Sequence, residues 1–259
     1  DIIIDGDVVM KVHRLGTDPV DLAARLAVAA RLGGAADGCL LAPLDIEPQP
    51  IGQSRERRWS TRWPRVDTVP TTGEGLPWAA AGRLLARLHL APSGKGMVIE
   101  HGAAARTARA LLRLPDPPPP IISRAAAALP ARARHADSQG RPRTLVHGDF
   151  HLGQLGRRSG CRWVLIDVDD LGIGDPAWDL ARPAGFWAAG LIPDHDWRTF
   201  LDAYRSAGGP AVPGSGDPWP TLEPMARAAV VQAAAVGVHR AIDETQGELL
   251  AACARMVAD

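Results

Sequence analysis

The sequence has no surplus charge of either sign: 29 Lys and Arg stand against 29 Asp and Glu over 259 residues. That balance excludes a general basic field for nucleic acid or an anionic bilayer, so a charged partner has to be recognised at a local site. Cysteine is equally scarce. Cys39, Cys161 and Cys253 are odd in number, far apart and without the close pairs that a zinc site requires, which fits a reducing cytoplasm. Long hydrophobic runs are lacking too, because Gln232 and His239 break the Ala/Val stretch near Val230. No charged start followed by an apolar core and a small-residue cleavage site opens the chain, so export and membrane spanning are not expected. No internal repeat is found. What is present is a 46% hydrophobic composition, enough to bury a core as one large domain or two small lobes.

Two β segments open the chain, Ile2-Ile3-Ile4 and Val8 to Val12, joined by Asp5-Gly6, a dipeptide suited to a hairpin turn. Helical spacing of Leu22, Leu26, Ala29 and Ala30 follows, from Asp18-Pro19 to Leu32, with Gly33-Gly34 as the stop. Arg58 to Trp63 alternates like a strand and halts at Pro64. Beyond Thr71-Thr72-Gly73 the pattern becomes helical. A helix is predicted from Trp78 to Leu90, then a stiff connector over Pro115 to Pro120, then a helix between Ile122 and Ala136. Thr144-Leu145-Val146 and Trp163 to Ile166 read as short buried strands. The remainder reads as helices over Pro176 to Trp187, over Asp194 to Ala207, and from Pro224 to the end.

The chemistry lies at the ends of the two buried strands, in His147-Gly148-Asp149-Phe150-His151-Leu152-Gly153-Gln154 and in Ile166-Asp167-Val168-Asp169. Phosphoryl transfer needs a carboxylate to orient or receive the hydroxyl proton, an amide oxygen five residues on to hold a metal, and a second carboxylate after the next strand. Asp149, Gln154 and Asp167 match that template. Asp169 either assists a second metal or faces water, being two residues on and on the same side if the segment is extended. His147 and His151 read as loop-bracing residues. Asp175, before Pro176, reads as a helix cap, and Asp179 as a first-turn acid that favours the helix dipole.

The loop resembles the catalytic loop of the aminoglycoside phosphotransferase and choline kinase superfamily, with Gln154 where Asn is usual. Gly172 to Ala181 resembles that family's stretch after the metal-binding Asp, and the Gln variant with Leu152-Gly153 is similar to its maltokinase-like branch. The resemblance implies an α+β, two-lobed protein-kinase-like fold. It would comprise a small antiparallel sheet lobe over 1–64, a hinge over 65–70 and a larger helical lobe over 71–259. It also implies magnesium, held by Gln154, Asp167 and Asp169, and ATP or GTP as phosphoryl donor. Val8-Val9-Met10-Lys11 is similar to the strand whose Lys neutralises the donor phosphates, and Trp63-Pro64-Arg65-Val66 is similar to the adenine-binding hinge. Pro64 has no N–H, so a donor there must come from Arg65 or Val66.

Two parts of the template are missing. Gly6 is the single glycine before Lys11, so the Gly-rich phosphate loop and first strand are expected to be missing from this sequence, whether lost, cleaved or left outside the numbering. The helix after Lys11 contains no Glu, which leaves the partner of Lys11 open. The implied activity is transfer to a hydroxyl of a sugar, amino sugar or aminoglycoside-like acceptor, with neither nucleic acid nor membrane as partner. Asp194, Asp196 and Asp202, with Asp243, Glu244 and Glu248, could form an acidic wall for an ammonium group, and Trp187, Trp197 and Trp219 could stack on the acceptor. A nucleotide-binding interaction protein with weak or no catalysis and a metal hydrolase are the alternatives.

Overall fold

The structure, a computed structural model, describes residues 1–35, 37–52, 57–70, 75–93, 98–158, 161–240 and 243–258. Its first sheet grows from the turn chemistry at Asp5-Gly6. Gly6 adopts φ +56°, and β1 (Ile2–Asp5) folds back on β2 (Val8–Val12) with Ile2 opposite Lys11. β2 pairs in turn with β4 (Arg58–Pro64), and β3 (Gln49–Ile51) lies on the far side of β4, all antiparallel. The ladder explains how β4 tolerates its final proline. Arg65 N donates to Asp7 O at 2.7 Å, so the alternation of the strand turns position 64 away from β2, where no N–H is needed. Between β2 and β3 runs α1 (Pro19–Gly33), capped by the Asp18 carboxylate, which accepts from Val20 N at 2.8 Å.

Two further small sheets position the chemistry. β5 (Asp67–Thr68), β7 (Leu155–Arg157) and β8 (Val164–Leu165) form one, and β6 (Thr144–Val146) with β9 (Gly172–Gly174) forms the other. Chain order then dictates the geometry. β6 leads into the His147–Gln154 segment and β7 leaves it, while β8 leads into the Asp167–Leu171 segment and β9 leaves it. Because β6 pairs with β9 and β7 with β8, the two segments are clamped side by side.

The helices are α2 (Trp78–Leu90), α3 (Ala103–Leu111), α4 (Pro120–Ala127), α5 (Ala177–Ala188), α6 (Asp194–Ser206), α7 (Trp219–Gly237) and α8 (Glu244–Arg255). α2 packs on α6, burying Leu85, Leu88, Phe200 and Tyr204, and α5 packs on α7, burying Leu180, Ala184, Met225 and Val231. Each large apolar side chain buried in this way contributes about 1.5–3 kcal/mol. At Gly185 a Cβ would lie 2.7 Å from Ala226 O, so glycine sets the close approach of α5 and α7. Among the described residues no helix is long and apolar enough to cross a membrane.

Three expectations are corrected. The helix predicted to reach Ala136 stops at Ala127, and a separate 3-10 turn covers Ala131–Arg134, because Pro130 cannot donate and disfavours helix at Leu129. α7 starts at Trp219, so Pro224 lies inside it rather than at its start. The Pro220 carbonyl that loses its helical donor there accepts instead from Arg132 Nη2 at 3.4 Å, a guanidinium that also reaches Thr221 O at 2.9 Å. Finally, α3 was not anticipated, and it carries a residue that reaches the site.

Candidate active site

The His147-Gly148-Asp149 turn is set by one buried carboxylate. Asp179 on α5 is wholly buried and accepts from His147 N at 2.7 Å and Gly148 N at 2.8 Å. His89 of α2 approaches the same carboxylate through Nε2 at 3.0 Å, and its Nδ1 meets the Tyr204 hydroxyl at 2.7 Å. That hydroxyl accepts from Ala211 N at 2.9 Å. With its proton thus directed to His89 Nδ1, the His89 proton sits on Nε2 and points at Asp179. Burial alone would raise the Asp179 pKa, but the His89 hydrogen bond outweighs it and holds the carboxyl below its usual value. Asp179 stands in the first turn of α5 as expected, and beyond that it braces the loop. Asp175 stands one residue before the cap position of α5, which Pro176 occupies; it accepts from Ala177 N at 3.0 Å and also pairs with Arg141 at 3.1 Å.

Gly148 adopts φ +82°, and a Cβ there would overlap the Asp170 backbone carbonyl, so only glycine fits. His147 Nε2 donates to Ile166 O at 2.7 Å, which ties the loop to the strand before Asp167. His151 Nδ1 accepts from Gly153 N at 3.1 Å, and burial pulls its pKa down to about 3. Both histidines hold the loop.

Asp149 faces a cavity of about 500 Å³ that Lys11, Asp167 and Asp169 also line. Burial raises its pKa, which Arg106 opposes. Arg106 Nη2 lies 2.8 Å from Asp149 Oδ2 and also bonds Asp170, while Gln154 Nε2 approaches Asp149 at 3.4 Å. Arg109, one turn further along α3, stands 3.7 Å from Asp170. Asp170 O in turn accepts from Gly102 N at 2.9 Å, fixing the start of α3. Sequence reasoning missed Arg106, Arg109 and Asp170. The available signal was Ala103, Thr107 and Ala110 at helical spacing, with two arginines three residues apart on the neighbouring face.

Across the cavity Lys11 Nζ contacts Asp167 Oδ1 at 2.6 Å and Asp169 Oδ2 at 2.9 Å. Burial disfavours its charge, yet Asp169 and Asp167 together raise its pKa. The open question of its partner is thus answered by two aspartates. They do not share one side of an extended segment as expected. Asp167 has φ +62°, a strained conformation for a residue with a Cβ, and this turn aims both carboxylates at Lys11. Asp169 also meets His13 Nδ1 at 3.3 Å. His13 Nε2 bonds Thr61 Oγ1 at 2.9 Å, and that hydroxyl accepts from Trp63 Nε1 at 2.8 Å. The Asp169 carboxylate can only accept, so His13 Nδ1 carries the proton that faces it. Burial would raise the Asp169 pKa, but His13 and Lys11 overcome it and hold this carboxylate far below its usual value.

The hinge expectation is narrowed. Trp63 pairs with Val9 in the sheet and turns its indole onto Thr61, so it supports Asp169 from behind. Arg65 N is already given to Asp7 O. Of the three hinge residues only Val66 keeps a backbone N–H without a backbone partner among the described residues.

The oxygen donors of Asp167 and Gln154 fit a hard divalent cation, although of the two only Asp167 lines the Asp149 cavity. Among the described residues Asp167 Oδ2 and Gln154 Oε1 accept no hydrogen bond, and carboxylate and amide oxygens suit magnesium. Their segments are joined by Ile166 N donating to Gln154 O at 2.9 Å. Asp169 is taken by Lys11 and His13, which places it in the charge balance of the site. No cluster of three His, Cys, Asp or Glu ligands occurs among the described residues.

The proposed acidic wall does not form beside Asp149. Asp194 accepts from Trp187 Nε1 at 2.6 Å, and Trp187 stacks on Trp197 at 5.5 Å and meets Trp219 edge-on at 6.0 Å. Of the six acids only Asp243 lines a cavity that Asp149 also lines, and it caps α8 by accepting from Gln246 N at 2.8 Å.

The model of the phosphotransferase enzyme family matches residues 5–219. The chain belongs to that family. A choline/ethanolamine kinase family protein from Mesorhizobium loti superposes with a TM-score of 0.60 at 17% identity, covering 100% of this chain and 85% of its own. Choline kinase LicA from Streptococcus pneumoniae gives 0.62 at 14% identity, with 99% and 89% covered. A thermostable mutant of an aminoglycoside phosphotransferase gives 0.61 at 14% identity, with 99% and 94% covered. These likenesses establish the kinase-like fold. No curated protein matches the chain in sequence. As a member of the phosphotransferase family, the chain is an enzyme that phosphorylates a hydroxyl of a small molecule.

Proposed function

We propose that this phosphotransferase moves the γ-phosphoryl group of ATP or GTP, with magnesium, onto a hydroxyl of a small polyhydroxylated acceptor in the cytoplasm, with Asp149 as its base. The observation that carries the reading is the shared cavity, in which Asp149, Lys11, Asp167 and Asp169 converge from three chain segments. The acceptor hydroxyl donates its hydrogen bond to Asp149, whose burial makes it a stronger base than a solvated aspartate. The acceptor oxygen bonds to the γ-phosphorus as the bond to the bridging oxygen breaks. The nucleoside diphosphate leaves with that electron pair, and the hydroxyl proton passes to Asp149. Lys11 supplies positive charge to the donor phosphates, and the Val66 N–H is free to meet the base. Magnesium held by Asp167 and Gln154 would neutralise charge on the transferring group. The acceleration then comes from positioning and charge, without a covalent enzyme intermediate.

Asp149→Asn tests the assignment in the full-length protein. Transfer from γ-labelled nucleotide should fall by about 10²- to 10⁴-fold, with nucleotide affinity within about twofold of wild type. Wild-type turnover in this variant would remove Asp149 from the mechanism.

A further inference from the structure

A second cavity, of about 260 Å³, shares Arg14, Arg106 and Arg109 with the one that holds Asp149 and Lys11. Arg113, Gln232 and His239 complete its polar lining, and neither Asp nor Glu lines it. The positive charge is poorly cancelled. Asp170 answers Arg106 and Arg109, but the Arg14 and Arg113 side chains have no hydrogen bond or ion pair among the described residues. Arg106 Nε is buried without an acceptor. Arg109 has its pKa lowered first by burial and next by the charge of Arg14, as expected of like charges crowded together. A third cavity, of about 320 Å³, borders Asp149 through the same Arg106 and adds Arg182 and Arg240 against one further acid, Asp243, which is engaged in capping α8. Arg182 lies over the Phe186 ring at 5.0 Å and has no carboxylate in contact among the described residues. Both approaches to Asp149 along α7 are therefore electropositive, which repels an ammonium-bearing acceptor and attracts an anion.

We propose that the acceptor is an anionic hydroxyl compound, whose phosphate or carboxylate group is held by Arg14, Arg109 and Arg113 while its hydroxyl reaches Asp149. The proposal rests on the phosphotransfer reading above. Guanidinium forks bind either anion bidentately, so the chemistry common to both is what the cavity selects. The hydroxyl oxygen bonds to the γ-phosphorus, the bridging bond breaks, the diphosphate leaves with the electron pair, and Asp149 takes the proton. The anionic group passes through unchanged. It serves as the handle that aligns the hydroxyl, and the product carries one phosphoryl group more than the substrate.

A matched panel on one carbon skeleton tests this: a hexose, its 6-phosphate, the corresponding hexuronate and the 2-amino hexose, each with magnesium–ATP. An anionic member should exceed the hexose in kcat/KM by about tenfold or more, and which arm responds tells phosphate from carboxylate. Arg109→Gln/Arg113→Gln should raise the acceptor KM by about tenfold or more while the nucleotide KM holds. Calorimetry with orthophosphate as probe, without nucleotide, should show salt-sensitive binding to the wild type that the double variant loses, with circular dichroism confirming its fold. Preference for the neutral or amino member would overturn the proposal. So would a rise in nucleotide KM instead of acceptor KM, or orthophosphate binding that is absent from the wild type or unaltered in the variant. Failure of magnesium–ATP to bind at all would instead sink the phosphotransfer reading, which the orthophosphate titration does not depend on.

Discussion

Replacing Asp179 with alanine removes the acceptor on which the His147-Gly148-Asp149 turn is built. The carboxylate accepts three hydrogen bonds, from His147 N, Gly148 N and His89 Nε2, and none of these donors has water to turn to, because Asp179, His89 and His147 are all buried. A buried donor left without an acceptor costs about 1–3 kcal/mol, so three of them set an upper range near 3–9 kcal/mol. Relief of the desolvated carboxylate offsets part of that. We expect Asp179→Ala to lose about 3–5 kcal/mol in urea denaturation, a large share of the roughly 5–15 kcal/mol that native proteins possess. Asp179→Asn keeps one acceptor oxygen but turns an amide donor toward another donor, so it should lose less stability while displacing Asp149. Its transfer rate should fall by more than its nucleotide affinity. A loss below about 1 kcal/mol in Asp179→Ala with unchanged turnover would refute the idea that this carboxylate organises the loop.

Gly148→Ala should be poorly tolerated although the side chain is small, since it combines a φ of +82° with overlap on Asp170 O; folding yield and melting temperature check this, and a wild-type melt would contradict the geometry. Lys11→Met leaves Asp167 and Asp169 facing each other without their shared cation, so nucleotide KM should rise about tenfold or more, with a smaller change if Lys11 were only a surface charge. Stability should fall on acidification below about pH 6.5. Burial lowers the pKa of His101, and takes that of His151 to about 3, so the unfolded chain binds more protons in that window and each histidine contributes a slope of up to about 1.4 kcal/mol per pH unit. Asp179 acts later, because its folded pKa is depressed: its contribution is complete above the unfolded value of 3.8 and is lost as pH falls through the lower folded value. Urea midpoints that stay flat from pH 7 to 5 would remove the histidine part.

The sequence by itself determined the elements whose information is local. Asp5-Gly6 specifies a hairpin, Asp18-Pro19 a helix start, and the pattern of strand, polar loop, strand and acidic turn from Thr144 to Asp169 carries Asp149, Gln154, Asp167 and Asp169 at recognisable spacing. Long-range pairing decided the rest. Nothing adjacent to Asp149 in sequence announces Arg106, which lies 43 residues upstream on a helix with a short, alanine-rich stripe. Nothing near Lys11 predicts that its partners are 156 and 158 residues away, because the turn at Asp167 requires a positive φ that sequence pattern does not signal in a non-glycine residue. The role of Asp179 was equally hidden. Its sequence position fits a helix-dipole acid, and only the packing of α2, α5 and α6 brings His89 and Tyr204 to it and turns a first-turn acid into the anchor of the loop that carries Asp149. The acids of α6 and α8 looked like an acceptor wall because composition counts charges without saying which face they take. The fold turns arginines of α3 and α5, with Arg240 beyond the end of α7, toward the approaches to Asp149 instead, since which helix face borders a cleft is fixed by packing against the rest of the chain.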